Sequence, residues 1–159
     1  MSKVELTEGQ DAPDFKLEST EGTVELSTAV ANAQNGVVVY FYPKASTPGC
    51  TTEACDFRDS LQSLKSAGFT VIAISSDKMP ALEKFKTKQS LNFPLASDPD
   101  KRVQTEWGTW GEKKNFGKLI KGPIRSTFVV GKDGKIQYAR YGVRAKGHVA
   151  RLRKDLGID

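Results

Sequence analysis

The stretch GVVVYFYPKASTPGCTTEACDFRDSLQSLKSAG, residues 36–68, decides the fold of this chain. It begins with an unbroken apolar, β-rich run, which is typical of a strand buried on both faces of a sheet. Pro48 and Gly49 end that run, and Thr47 stands at the expected N-cap of a helix. Apolar residues then recur at helical spacing up to Gly68, namely Ala54, Phe57, Leu61, Leu64 and Ala67. The stretch predicts a central strand that leads directly into a long helix.

Strand and helix patterns alternate along the rest of the chain. We expect strands at FTVIAISSD (69–77) and FPLASD (93–98), and helices at MPALEKFKTKQSL (79–91), KRVQTEWG (101–108) and GHVARLRKDLGI (147–158). Two hairpins are predicted, at DFKLESTEGTVELST (14–28) and STFVVGKDGKIQYARYG (126–142). No linker or repeat interrupts these patterns, so they predict one α/β domain over residues 1–159, a layered sheet with helices on its faces.

Composition and charge narrow the functional classes. The longest apolar run, GVVVYFYP, is too short to span a membrane, and the polar N-terminus lacks the apolar core of a signal peptide. We therefore expect a cytoplasmic protein, in a compartment where a permanent disulfide is unusual. The net charge is +5, and after residue 100 basic residues outnumber acidic ones 15 to 5. Because no nucleic-acid-binding motif accompanies these charges, we interpret them as a solvated basic face.

The only two cysteines, Cys50 and Cys55, lie within the predicted strand-to-helix stretch. Cys50 falls in the first helical turn, where free backbone N–H groups and the helix dipole favour a thiolate. An unperturbed thiol is only about 3% ionised at pH 7. A position that favours the thiolate is therefore expected to increase the fraction of Cys50 that is ionised and able to react. A useful site also needs donors aimed at the atom that gains charge during attack, such as Thr47 Oγ, the nearby amides or a buried arginine.

Arg125 is the candidate arginine, because it directly precedes the buried strand pattern STFVV. A charge at such a position needs a partner. In a layered α/β sheet the neighbouring strands allow Arg125 to reach the end of the strand that delivers Cys50. The residues alone leave open a second interpretation, in which Arg125 pairs with a carboxylate at the strand entry for structural reasons.

The sequence resembles the peroxiredoxin family at this stretch. YPKASTPGCTTEAC is similar to the active-site pattern P-x-x-x-T-x-x-C, matched by Pro43, Thr47 and Cys50, and the position of Cys55 is similar to the bacterioferritin comigratory protein/PrxQ branch. The segments WGEKKNFGK and RSTFVV…DGKI continue the likeness, which runs from GQDAPDF to the GH that opens the last helix. The resemblance implies a thioredoxin-like fold with a central mixed sheet, helices on both faces and an N-terminal hairpin.

The resemblance also implies an activity and a partner. By position, Cys50 matches the peroxidatic cysteine, which reduces hydrogen peroxide or organic hydroperoxides to water or alcohols and becomes a sulfenic acid. Cys55 matches the resolving cysteine, whose intramolecular disulfide is reduced by thioredoxin or a similar dithiol. We expect a monomer that uses no cofactor, no metal, no nucleic acid and no membrane. The basic residues Lys113, Lys114 and Lys118 are expected to face an acidic reductant.

The supporting residues follow by position as well. Thr47 matches the residue that holds the peroxide, Pro43 the one that shields the sulfenate, and Arg125 the arginine that orients thiolate and substrate. Glu53 falls where the family often places a polar residue that supports this arginine, although it could equally be a solvated helix residue. The chain departs from the family at Ala45 and Ser46, where acidic residues are common.

Other classes of function fit the residues less well. Two cysteines and one histidine cannot complete a four-ligand zinc site. A Cys–His hydrolase would need His148, which we expect to cap the last helix or contact solvent beside Gly147. A thiol–disulfide oxidoreductase would carry the motif C-x-x-C, which this sequence lacks. The remaining alternative is a binding module that uses the basic half of the chain. Trp107 and Trp110 are expected to pack in a surface loop.

The spacing of the two cysteines has a geometric consequence. Five residues along a regular helix place the Cα atoms roughly 8–9 Å apart, with the side chains facing different ways. A disulfide needs Cα atoms closer than about 7 Å. We therefore predict that residues 47–60 unwind locally when the disulfide forms.

Overall fold

A computed structural model describes residues 5–115 and 117–158, with backbone alone at 113–115 and 118–120. The strands are β1 (Lys16–Ser19), β2 (Gly22–Glu25), β3 (Gly36–Phe41), β4 (Phe69–Ser75), β5 (Leu95–Ser97), β6 (Trp110–Asn115), β7 (Lys118–Pro123), β8 (Ser126–Gly131) and β9 (Ile136–Tyr141). The helices are α1 (Leu26–Asn32), α2 (Pro48–Ser66), α3 (Met79–Gln89), α4 (Arg102–Glu106) and α5 (His148–Asp155). The strands and helices predicted from sequence are confirmed, including the N-terminal hairpin of β1 and β2.

Seven strands form the main sheet in the order β2-β1-β5-β4-β3-β8-β9. The three strands β3, β4 and β5 run parallel, whereas β8 pairs with β3 in the antiparallel sense. The sheet is therefore mixed, as the sequence resemblance implied. The antiparallel register places Ser126, the first residue of β8, opposite Phe41, the last residue of β3. Because the two strand ends meet there, the residues just outside them share one edge of the sheet.

The two faces of the sheet carry separate apolar layers. Along β3, Val38 and Tyr40 belong to the layer that includes α2, α3 and α5, while Val37, Val39 and Phe41 belong to the layer that includes α1 and α4. This alternation is the period of two that any strand imposes on its side chains. All six residues of β3 are buried, which explains the unbroken apolar run in the sequence.

Several features differ from the sequence-based expectations. Helix α1 and the separate ribbon of β6 and β7 were not predicted, since α1 has only 7 residues and the two ribbon strands show no regular alternation of apolar and polar residues. The expectation that Trp107 packs in a surface loop is wrong: its ring is fully buried against Phe15, Phe41 and Phe128. Trp110 is half-buried, with the Lys101 ammonium 4.8 Å from its ring centroid.

No helix among the described residues is both long enough and apolar enough to cross a bilayer.

Candidate active site

Cys50 lies in the first turn of α2, directly after the loop that leaves β3. Only 1% of the residue is exposed, and its thiol is free. Pro48 occupies the start of the helix, and its fixed φ suits that position. The helix N-terminus presents unpaired N–H groups and a partial positive charge to the sulfur.

Arg125 is the cation that contacts this sulfur. Its Nη2 donates to Cys50 Sγ at 3.4 Å, across 75 positions of sequence. The residue lies between β7 and β8, so the antiparallel pairing of β8 with β3 brings it to the cysteine. Gly49 permits the approach, because a Cβ there would lie 3.2 Å from Arg125 Nη2. Burial opposes the charge of Arg125, but neighbouring Glu53 and Cys50 raise its pKa above the ordinary value.

Glu53 is fully buried one turn along α2 from the cysteine. Its Oε1 accepts a hydrogen bond from Arg125 Nη1 at 2.6 Å, so one guanidinium contacts both Glu53 and Cys50. The alternative that Glu53 is a solvated helix residue is therefore wrong. Burial raises the pKa of Glu53 to about 7, against the opposing effect of Arg125. Within the described part of the chain, its second oxygen, Oε2, has no hydrogen-bond partner.

Thr47 occupies the N-cap position of α2, but its side chain does not cap the helix. The Thr47 hydroxyl instead donates to the Lys44 carbonyl at 2.8 Å, which leaves the oxygen lone pairs available to accept a bond from a ligand. Pro43, the first residue of the same loop, is half-buried. Of the two residues that depart from the family pattern, Ala45 is buried and Ser46 has a left-handed backbone with φ 66°.

Cys55 lies on the same unbroken helix and is half-buried with a free thiol. Its Sγ donates to Gln89 Oε1 at 3.5 Å, at the end of α3. The same end of α3 accepts a bond from Arg58 Nη1, which lies 2.7 Å from the Gln89 carbonyl oxygen. Cys55 is thus held toward α3, while Cys50 is buried against Arg125.

Sequence reasoning missed Tyr40, whose ring stacks on Phe57 at 4.3 Å. Its hydroxyl is buried, and no described atom bonds to it. Burial raises the pKa of Tyr40 well above its usual value, and the nearby Glu53 carboxyl adds to the effect. A tyrosine inside an apolar strand pattern carries no sign in the sequence that its hydroxyl approaches a site.

The expectation that His148 caps α5 or contacts solvent is also wrong. The ring is buried, and its Nε2 lies 2.7 Å from Thr127 Oγ1 on β8. Burial lowers the pKa of His148 to about 4, so the ring is neutral at pH 7. Among the described residues, no group of three or more His, Cys, Asp or Glu side chains could hold a metal ion.

The fold and the buried, arginine-paired thiol define a thiol-dependent oxidoreductase built on a thioredoxin-like sheet. Comparison with known sequences narrows this class. Residues 8–139 match the AhpC/TSA family, and the chain belongs to that family as a peroxiredoxin of the bacterioferritin comigratory protein/PrxQ type. It is 42% identical to peroxiredoxin Bcp of Escherichia coli over 90% of both chains. Identity to peroxiredoxin Bcp of Bacillus subtilis is also 42%, over 93% of both chains.

Solved structures agree with this assignment. The bacterioferritin comigratory protein of Xanthomonas campestris, which has alkyl peroxide reduction activity, is 32% identical, with a TM-score of 0.84 over 95% of this chain and 98% of that one. A mutant of PrxQ from Xylella fastidiosa is 28% identical, with a TM-score of 0.87 over 97% of both chains. The resemblance seen in the sequence is confirmed, and the protein is an oxidoreductase that acts on peroxide.

Proposed function

We propose that this protein reduces hydrogen peroxide and organic hydroperoxides through Cys50, with Cys55 as resolving cysteine and a thioredoxin-type dithiol as reductant. One observation carries the proposal: Arg125 donates to the sulfur of a buried cysteine at a helix N-terminus, at 3.4 Å. In the proposed reaction, this cation and the helix dipole lie at the sulfur that carries the negative charge. The same groups remain in place to stabilise the charge that develops on the peroxide.

The first chemical step is attack by the Cys50 thiolate on the terminal oxygen of the hydroperoxide. The S–O bond forms as the O–O bond breaks, and the electron pair leaves on the other oxygen, which takes up a proton to become water or an alcohol. The sulfur loses two electrons and becomes a sulfenic acid. Thr47 holds the peroxide with its hydroxyl, Arg125 orients thiolate and substrate, and Pro43 shields the sulfenate.

Glu53 supports this step through Arg125. Because the Glu53 carboxyl is buried and bonds Nη1, it restricts the guanidinium to the orientation in which Nη2 reaches Cys50. A planar guanidinium with two anchored edges loses less freedom in the transition state than a free one. We assign Glu53 a positioning role.

The second step is attack by the Cys55 thiol on the Cys50 sulfenic acid, which forms a disulfide and releases water. On intact α2 the two Cα atoms are roughly 8–9 Å apart, too far for a disulfide. The first turns of α2 must therefore open, and Cys55 must leave Gln89. A dithiol then reduces the disulfide by exchange and restores both thiols.

The reductant is an acidic dithiol protein, and the enzyme acts as a monomer in the cytoplasm. The side chains of Lys113, Lys114 and Lys118, which we expect to face the reductant, lie outside those that the structure describes. An intramolecular resolving cysteine removes the need for a second subunit. The alkyl peroxide reduction activity of the Xanthomonas campestris relative supports organic hydroperoxides as substrates of this chain.

The test is peroxide consumption with thioredoxin, thioredoxin reductase and NADPH, followed by mass spectrometry after one equivalent of peroxide. We expect turnover in the wild type and none in Cys50→Ser. In the wild type, mass spectrometry should show the loss of two hydrogens within one chain, from a disulfide that links Cys50 to Cys55. The matched variant Cys55→Ser should still consume one equivalent and stop at the sulfenic acid. Undiminished turnover in Cys50→Ser, or a stable wild-type sulfenic acid with Cys55 free, would contradict the proposal.

A further inference from the structure

Asp77 lies just beyond the carboxyl end of β4. Its hydrogen bonds connect the ends of β4 and β5 with the loop that follows β3. Its Oδ2 accepts a hydrogen bond from the backbone N–H of Ala45 at 2.7 Å and one from Ser75 Oγ at 2.8 Å. The Asp77 carbonyl accepts a third bond from Ser97 Oγ, at the end of β5, at 2.5 Å. Ser75 is fully buried and Ser97 nearly so. Asp77 is therefore held from two sides, and its carboxylate reaches the loop that follows β3.

That loop, residues 43–47, supplies Thr47 to the active site and has no regular structure to hold it. Ser46 adopts a left-handed backbone with φ 66°, a conformation that disfavours residues other than glycine. The loop also folds back on itself, since the Thr47 hydroxyl bonds the Lys44 carbonyl. A strained conformation of this kind persists only where the surrounding structure holds it. The bond from Ala45 N–H to Asp77 joins the centre of the loop to the end of β4.

We propose that Asp77 is a positioning residue for the peroxidase reaction. By accepting the Ala45 N–H, its carboxylate holds the 43–47 loop in the shape that presents Thr47 beside Cys50. The inference rests on the proposed function, because it assigns Thr47 to the peroxide. Asp77 acts as a hydrogen-bond acceptor, so a neutral carboxamide oxygen in the same place is sufficient.

This role separates two reactions of the same sulfur. Attack on a peroxide needs both the thiolate and a correctly placed Thr47, whereas alkylation by iodoacetamide needs only the thiolate and access to it. A displacement of about 1 Å in a substrate-holding group can slow a reaction about 100-fold. Loss of the Asp77 acceptor should slow peroxide attack far more than alkylation. Replacement of a residue that only stabilised the fold would change neither the oxidation rate nor the alkylation rate, or would change both equally.

The experiment measures both rates for Cys50 in wild type, Asp77→Ala and Asp77→Asn, with Cys55 replaced by serine throughout. We expect oxidation by hydrogen peroxide to slow about 10- to 100-fold in Asp77→Ala and to stay within about threefold of wild type in Asp77→Asn. Alkylation should change by less than about threefold in both variants. Asp133→Ala is the matched control, since Asp133 also accepts a backbone N–H, from Lys135, but lies in the distant β8–β9 turn.

A double-variant comparison tests whether Asp77 acts through Thr47. In a Thr47→Val background, Asp77→Ala should slow the oxidation of Cys50 by less than a further factor of about three, because the hydroxyl that Asp77 positions is already absent. Full additivity, equal slowing of oxidation and alkylation, or an unchanged oxidation rate in Asp77→Ala would overturn the inference. If Asp77→Ala does not fold, Asp77→Ser takes its place with the same expected outcomes, because its shorter side chain also removes the acceptor from Ala45, and a tenfold loss in Asp77→Asn still overturns the inference. A wild type that reacts with peroxide no faster than a free thiol would instead contradict the proposed function.

Discussion

The Glu53 carboxyl and the Arg125 guanidinium meet 2.6 Å apart, with Glu53 fully buried. This pair contacts the Cys50 thiol through Arg125 Nη2. A buried carboxyl with a raised pKa is neutral more readily than one in water.

Glu53→Gln should change how stability depends on pH. The folded-state pKa of Glu53, about 7, exceeds its ordinary value of 4.5, so its favourable contribution is present below pH 4.5 and is lost as the pH rises through 7. Relative to Glu53→Gln, the wild type should lose up to about 3 kcal/mol of unfolding free energy over that interval, most of it above pH 5. Urea unfolding of both proteins between pH 4.5 and 8 measures the difference. Parallel stability curves would contradict the buried titration.

Arg125→Ala should slow the oxidation of Cys50 by about 100- to 1,000-fold, because it removes a donor to the attacking sulfur and to the developing charge. Arg125→Lys should fall between this variant and the wild type, since one ammonium cannot reproduce the planar fork that contacts both Glu53 and Cys50. Stopped-flow measurement of the oxidation rate checks both. Arg140→Ala is the control, because Arg140 packs over the Tyr138 ring on β9 and should leave the rate unchanged.

Gln89→Leu should accelerate disulfide formation without altering peroxide attack. The variant removes the acceptor of the Cys55 thiol, a neutral hydrogen bond worth about 0.5–1.5 kcal/mol, so formation of the disulfide should quicken by roughly 2- to 10-fold. Rapid acid quench and mass spectrometry separate the sulfenic acid from the disulfide over time. Gln62→Leu, on an exposed position of α2, is the matched control. An unchanged second step in Gln89→Leu would show that this bond does not restrain Cys55.

Oxidation should open the first turns of α2. Backbone amides in residues 47–60 should exchange hydrogen faster in the disulfide form, since the helix spacing cannot accommodate the bond. Amides of β3 and β4 serve as an internal reference and should stay protected. Native hydrogen exchange with mass spectrometry compares the reduced form, the disulfide form and oxidised Cys55→Ser. An oxidised wild type with the protection of the reduced form across residues 47–60 would refute the opening.

His148→Gln should change acid stability in the opposite sense to Glu53→Gln. The folded-state pKa of His148, about 4, is below its ordinary value of 6.5, because burial disfavours the charged ring. Its neutral form therefore stabilises the fold above pH 6.5, and this contribution is lost as the pH falls through 4. Thermal melts from pH 7 to 4 should show the wild type losing stability faster than His148→Gln. Equal losses would show that the ring titrates freely.

Local pattern was sufficient for most of the fold. The apolar run of β3, the helical spacing after Cys50 and the turn residues of the hairpins each reflect constraints within a few residues. Helix α1 could not be predicted, because seven residues give barely two turns of helical periodicity. The β6–β7 ribbon could not be predicted, because its two strands show little of the alternation of apolar and polar residues that is typical of a strand with one buried face.

The sequence by itself determined the strand-to-helix junction, the position of Cys50 in the first turn of α2 and its distance along that helix from Cys55. These depend on backbone geometry and on neighbours in the chain. Only the tertiary structure decided that Glu53 is buried, that Trp107 and His148 lie inside the protein, and that Asp77 reaches the loop before α2. Burial and long-range hydrogen bonds depend on which strands are adjacent, and the pairing of β8 with β3 brings Arg125 to a cysteine 75 positions away.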